Sequence, residues 1–242
     1  MRVQGVIPAR YESTRFPGKP LALINGKPMI WWVYNRAKNA KGLDDICVAT
    51  DDDRIYEVCI ANNMNVVMTS KEICTGADRV AEVSKSVMAD IYLNIQGDEP
   101  LIETGAIEQI IDYMKSNSDV DYLGLKSQIE NETEWKNYNV VKAITDVNGD
   151  AMYFSRIPVP TVFNANSVYR VMGLYGYRSD FLKKFYALGQ SPLEKAEKGV
   201  EMLRAMENGY KVRLIDTKYH SIGVDLPEHI SEIEKKLTMM EE

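Results

Sequence analysis

Between Val3 and Pro20 the chain runs from a short apolar strand directly into a loop carrying three fixed cations, and the rest of the chain is organised around this junction. Val3 to Ile7 reads as a buried strand that stops at Pro8. Arg10, Arg15 and Lys19 follow on an irregular polar segment with Ser13, Thr14 and Gly18. Open α/β sheets bind ligands beyond the carboxyl ends of their strands, which is where this loop falls. Arg offers a planar fork to phosphate oxygens and Lys a mobile point charge, so the loop suits a polyanion, most simply a triphosphate. A solvated basic loop would carry the same cations. Stiffening by Pro17 and Pro20, with Gly18 left free for close backbone approach, favours a ligand. Neither G-x-x-x-x-G-K-[ST] nor G-x-G-x-x-G occurs, which argues against a P-loop NTPase and a dinucleotide dehydrogenase.

The 242 residues suffice for a single large α/β domain, residues 1–242, with a lobe. Pro28 suits the first turn of a helix, and Ile30, Val33, Tyr34 and Ala37 give Met29 to Ala40 one apolar face. Ile46 to Ala49 reads as a second strand closing on Asp51, Asp52 and Asp53. Those carboxylates could hold a metal, but they better suit a helix N-terminus carrying Ile55, Val58 and Cys59. Asn65 to Met68 is a third strand, Val80, Val83 and Val87 mark a helix, and Ile91 to Ile95 is a fourth strand. This alternation predicts an α/β fold with a mostly parallel sheet and right-handed crossovers.

The rhythm then changes. Val120 to Ser127 and Asn139 to Thr145 read as strands with no helix between them, and Asp146 to Asp150 turns into Ala151 to Phe154. Residues 120–178 therefore form a hairpin-containing insertion, ending in a strand, Ser167 to Arg178, near the middle of the domain. Residues 161–167 are polar and loop-like. From Pro192 a single helix is predicted through Met206, with Gly199 inside it and Glu201 on a second, charged stripe. Lys211 to Ile215 is a late strand.

A net charge of −6 disfavours a nucleic-acid polymer, so the cationic loop is a local exception suited to a small anion. No window approaches the roughly 18 apolar residues of a membrane span, and the N-terminus lacks the apolar core of a signal peptide. Cys47, Cys59 and Cys74 have no C-x-x-C pairing and read as thiols of a reducing compartment, by default the cytoplasm. His220 and His229 match no zinc spacing, and no G-x-S-x-G elbow supports a hydrolase.

Thr75 and Gly76 would free amides at a helix N-terminus with Arg79 one turn in, an anion-friendly arrangement that an ordinary capped helix would also explain. Asp98 follows a strand and precedes Pro100, where a lone carboxylate could take Mg2+ or simply make an Asx turn. The residues alone leave both alternatives open.

Taken together, the segments Ile7 to Leu21, Thr75 to Arg79, Asn94 to Pro100, Tyr153 to Pro158 and Gly223 to Glu228 resemble the 3-deoxy-manno-octulosonate (KDO) cytidylyltransferases, nearly end to end and in order. The resemblance implies a Rossmann-like, nucleotide-diphospho-sugar-transferase-like α/β fold with helices on both faces of the sheet. It implies an enzyme coupling CTP to an acidic sugar, with Mg2+ as cofactor and a homodimer built with the insertion. Carried over by residue, Ala9, Arg10, Ser13, Arg15, Lys19, Thr75, Gly76 and Arg79 would hold the nucleotide, with Arg10, Lys19 and Asp98 catalytic. Asp98 and Asp225 would bind the metal, and Gln96, Arg156, Tyr175 and Glu201 would line the sugar pocket. Met172 and Met202 stand where relatives usually place polar sugar contacts. That departure points to a related acid or modified sugar, or else to a non-catalytic CTP-binding protein.

Overall fold

The computed structural model describes residues 1–12, 15–220 and 222–241. Its elements are β1 (Val3–Ala9), β2 (Leu23–Ile24), β3 (Lys27–Pro28), α1 (Met29–Ala37), β4 (Asp45–Thr50), α2 (Asp53–Ala61), β5 (Val66–Met68), α3 (Gly76–Val83), β6 (Ile91–Ile95) and α4 (Thr104–Ser116). The chain continues with β7 (Tyr122–Gln128), α5 (Glu132–Lys136), β8 (Lys142–Thr145), β9 (Ala151–Ser155), β10 (Tyr169–Arg178), α6 (Ser179–Leu188), α7 (Pro192–Ala196), α8 (Met202–Glu207), β11 (Arg213–Asp216) and α9 (His229–Glu241).

The main sheet has the order β11-β7-β10-β6-β1-β4-β5, with the β8–β9 hairpin joined to β10. β1 runs parallel to β4 and β6, β4 to β5, and β7 to β11, whereas β10 is antiparallel to both of its neighbours. Strand order reverses at β1, because β4 and β5 build outward on one side and β6 returns to the other. A crevice therefore opens beyond the carboxyl ends of β1 and β6.

Side chains alternate across the strands and so feed two cores. Val3, Ile7, Ile91, Leu93, Ile95 and Leu174 face α1, α2 and α4. Val6, Tyr92, Tyr175 and Tyr177 face α3, α6 and α8. Helices thus cover both faces. α4 shows why it docks so firmly: Ala106, Ile107, Ile110, Ile111 and Met114 form one stripe, and all five are fully buried.

Four expectations need correction. β1 continues through Pro8 to Ala9, because Val6 is its last residue in register with β6 and the missing Pro8 amide disturbs no pairing there. A short helix, α5, does separate the first two strands of the insertion. Asn131 caps it by accepting from the Glu134 amide, and Trp135 anchors it. The long helix from Pro192 is two helices. Lys198 and Gly199 adopt φ of 50° and 82°, a left-handed pair that ends α7, so the glycine is a break and not a tolerated interior residue. Met172 belongs to the core on the α4 side, since alternation along β10 turns it away from the face that carries Val171, Gly173 and Tyr175.

Candidate active site

Two cavities open at the crevice and share Gly76, Gln96 and Asp98. One, about 410 Å³, is rimmed by Arg10, Arg15, Lys19, Thr75 and Arg79 together with Ala9. The other, about 540 Å³, takes in Arg156, Tyr175, Glu201 and Asp225. Every candidate residue named from the sequence thus lies on one wall or the other, except Ser13, which is outside the described residues.

The loop after β1 is tied at several points. The Gly18 amide donates to the Tyr11 carbonyl at 2.8 Å, and the Arg54 guanidinium lies over the Tyr11 ring at 3.2 Å from its centroid. Arg10 reaches across to donate to the Cys74 carbonyl at 3.1 Å, which links this loop to the approach to α3. Gly97 sits where the loop after β6 crosses the end of β1. A Cβ there would lie 2.8 Å from the Pro8 carbonyl oxygen, so only glycine permits the contact.

The two candidate metal carboxylates both line the larger cavity. Lys19 Nζ donates to Asp98 Oδ2 at 2.6 Å and to the Val224 carbonyl at 2.9 Å, and the Val224 amide donates to the Asp98 carbonyl at 2.9 Å. Arg15 pairs with Asp225 at 2.9 Å. His229 Nδ1 accepts from the Asp225 amide at 3.2 Å, a structural task that fixes the backbone of that carboxylate. Residues far apart in the chain, 15 and 225 or 19 and 98, therefore touch.

Arg79 differs from the other cations. It is fully buried, bonded to Asp51 at 3.0 Å and to the Thr69 hydroxyl, whereas Arg15 and Lys19 pair with their carboxylates at positions that solvent reaches. Thr75 caps α3 by accepting from the Asp78 amide at 3.1 Å. Behind α3 lies a buried charge cluster. Arg204 forks to Glu194 at 2.8 Å twice and to Asp78 at 2.5 and 3.0 Å.

Glu201 stands between that cluster and the larger cavity, and both its carboxylate oxygens accept from the Ala77 amide, at 3.2 and 3.1 Å. Burial, with Asp78 and Glu194 adding to it, pushes its carboxyl up from 4.5 to about 7, against the opposing Ala77 amide and Arg204. The folded protein thus holds this proton more tightly than the unfolded chain does, and stability falls as pH rises from 4.5 to about 7. Glu201→Gln is expected to be more stable than wild type above pH 7 and equal to it below 4.5, as checked by denaturant titration at both ends.

Sequence reasoning passed over Arg170 and Asn139. Arg170 lines the larger cavity while pairing with Glu134 at 2.9 Å, and Asn139 accepts from Arg15 at 3.4 Å. An arginine set among the apolar and aromatic residues of a strand was the available signal for the first. Nothing marked the second.

Residues 4–215 match the family model for cytidylyltransferases. The 3-deoxy-manno-octulosonate cytidylyltransferase of Geobacter metallireducens is 43% identical, covering 98% of each chain. The protein of the same name from Fusobacterium nucleatum is 44% identical, covering 96% of each. A solved CMP:2-keto-3-deoxy-manno-octonic acid synthetase complexed with CTP superposes with a TM-score of 0.92 at 36% identity, over 99% of this chain and 100% of that one. A 4-diphosphocytidyl-2C-methyl-D-erythritol synthase from Anaerococcus prevotii shares the fold alone, at 15% identity and a TM-score of 0.64. By the family model, by identity over nearly the whole chain and by this superposition, the chain is a nucleotidyltransferase that belongs to the cytidylyltransferase family, among the 3-deoxy-manno-octulosonate cytidylyltransferases.

Proposed function

We propose that the protein couples CTP to an acidic 3-deoxy-2-keto sugar such as KDO, giving a CMP-sugar and pyrophosphate. The observation that carries this reading is the pair of cavities joined at Gly76, Gln96 and Asp98, one cationic and one mixed in character. The cationic cavity suits a triphosphate. The other offers Arg156 and Arg170 for a carboxylate and Gln96, Tyr175 and Glu201 for hydroxyls. The names of the relatives and the CTP complex of the structural neighbour support the same pair of substrates.

The reaction is a displacement at the α-phosphorus. The anomeric oxygen bonds to phosphorus as the bond to the bridging oxygen breaks, pyrophosphate leaves with that electron pair, and the hydroxyl proton passes to water. No protein nucleophile is needed; alignment and charge neutralisation suffice. Arg10, Arg15 and Lys19 hold the triphosphate and stabilise the departing pyrophosphate. On binding, phosphate oxygens replace Asp98 and Asp225 as partners of Lys19 and Arg15, which releases both carboxylates. Asp98 and Asp225 are hard oxygen donors on one cavity, and this set fits Mg2+, which takes one or two carboxylates and completes its shell with water and phosphates. Among the described residues no group of three or more His, Cys, Asp or Glu forms a dedicated metal cage, as suits an ion shared with the nucleotide. When bound, Mg2+ draws charge from the α-phosphate.

The β8–β9 hairpin and the segment that follows it serve as the homodimer face, with Met152 exposed on the hairpin at 62% and Ile157 and Val162 exposed beyond it at 58% and 74%. Among the described residues no helix is long and apolar enough to cross a membrane; the cytoplasm is the proposed place of work. Met202 does line the sugar cavity, so the acid is tested directly. Pyrophosphate release from CTP is measured with a panel of 2-keto-3-deoxy acids. KDO or a close relative is expected to support turnover, whereas CTP binding without turnover on any acid would favour a non-catalytic binder.

A further inference from the structure

We propose that Lys142 is a positioning residue for the sugar acid, acting through the carbonyls of Asn137, Val140 and Arg156 and placing a buried positive charge behind the cavity wall. The inference rests on the keto-acid reading of the larger cavity and names a determinant that reading does not contain. Lys142 opens β8 and is fully buried. Its Nζ donates to the carbonyls of Asn137 at 2.6 Å, Val140 at 3.0 Å and Arg156 at 2.6 Å. Val140 and Arg156 belong to two separate segments of the cavity lining, and Asn137 lies just before the first of them. Asn139, Val140 and Val141 form one stretch of its lining, and Arg156 forms another.

Arg156 is fixed a second time from the opposite side. Its amide donates to the Glu197 carboxylate at 2.9 Å and its Nε to the Glu197 carbonyl at 3.3 Å. The same carboxylate also accepts from Ser155 and Tyr153, at 3.0 and 3.3 Å. One ammonium and one carboxylate thus clamp the arginine that faces the substrate. An ammonium surrounded by neutral carbonyls is a costly thing to bury. Burial and the Arg156 cation both lower its pKa, with Glu197 opposing them. A structural tether between two segments could be neutral. A charge makes sense where an anion is received close by, and the field of Lys142 adds to that of Arg156 toward a substrate carboxylate.

Lys142→Gln keeps hydrogen-bond donation and removes the charge; Lys142→Met removes both. In the pyrophosphate-release assay with an acid that wild type accepts, the Gln variant is expected to raise KM for the acid about tenfold or more, with KM for CTP within about twofold. The Met variant is expected to raise it further. An unmoved acid KM in the Gln variant overturns the inference, as does a parallel rise for CTP, which would mean general loosening. A Gln variant that fails to fold also overturns it, because the residue would then be structural only. Wild-type silence on every acid overturns the keto-acid reading itself, and this inference with it.

Discussion

Asp98→Asn is expected to fold as wild type does and to turn over roughly 10³-fold more slowly, the scale of losing one preorganised charge at a reacting phosphate. The substitution is nearly isosteric at a partly exposed position, so little packing is lost. Asp98 bears on two events at once. Its carboxylate holds Lys19 at 2.6 Å, and it faces the junction of the two cavities. Losing its charge frees Lys19 for phosphate, so CTP affinity measured without a divalent cation should hold or increase while kcat collapses. Lys19→Ala should behave differently, losing CTP affinity and turnover together. Calorimetry of CTP binding beside steady-state rates separates the two, and near-normal kcat in either purified variant would remove these residues from the chemistry.

Arg204→Met is expected to cost about 3–5 kcal/mol of stability, since breaking a buried ion pair from one side strands its partners. Arg204 and Glu194 are both fully buried, and the guanidinium also holds Asp78 on α3. Without it two carboxylates face each other across a dry space. In a chain of this length the melting temperature should fall by roughly 10 °C. The same loss removes a cation that lowers the Glu201 carboxyl, so the Glu201 titration should move further upward in the variant. A melting temperature within a degree or two of wild type would mean that the cluster is not carrying α3 and α8 as described.

Much of the nucleotide side was legible because its information is local. One strand, one stiffened loop and one capped helix lie in three short windows, and patterns of period two and 3.6 place them. The Asp51–Asp53 cluster reads as a helix N-terminus from side-chain chemistry, and Asp52 caps α2; the cap that Thr75 gives α3 is one of two readings the residues leave open. The sugar side was harder to read. Its wall is assembled from residues near 96, 139, 156, 170, 201 and 225, and no window contains more than one of them. Apolar spacing ran unbroken through Gly199, while two left-handed residues decided the backbone there. Met172 was misplaced for a related reason. Position in a strand sets the face, and one residue of shift moves a side chain from cavity to core. Arg79 does line the cationic cavity, but its pairing with Asp51, 28 residues away, was not legible from its own window.

The late arrival of β10 has a consequence during synthesis. Its slot lies between β6 and β7, so β6 has no neighbour on that side until residues 174–178 emerge more than seventy positions later. In that interval the apolar strand Ile91–Ile95 presents an open row of backbone groups, the kind of edge that pairs with other chains. Translation stalled or truncated within the insertion would leave an aggregation-prone fragment already carrying its complete cationic loop.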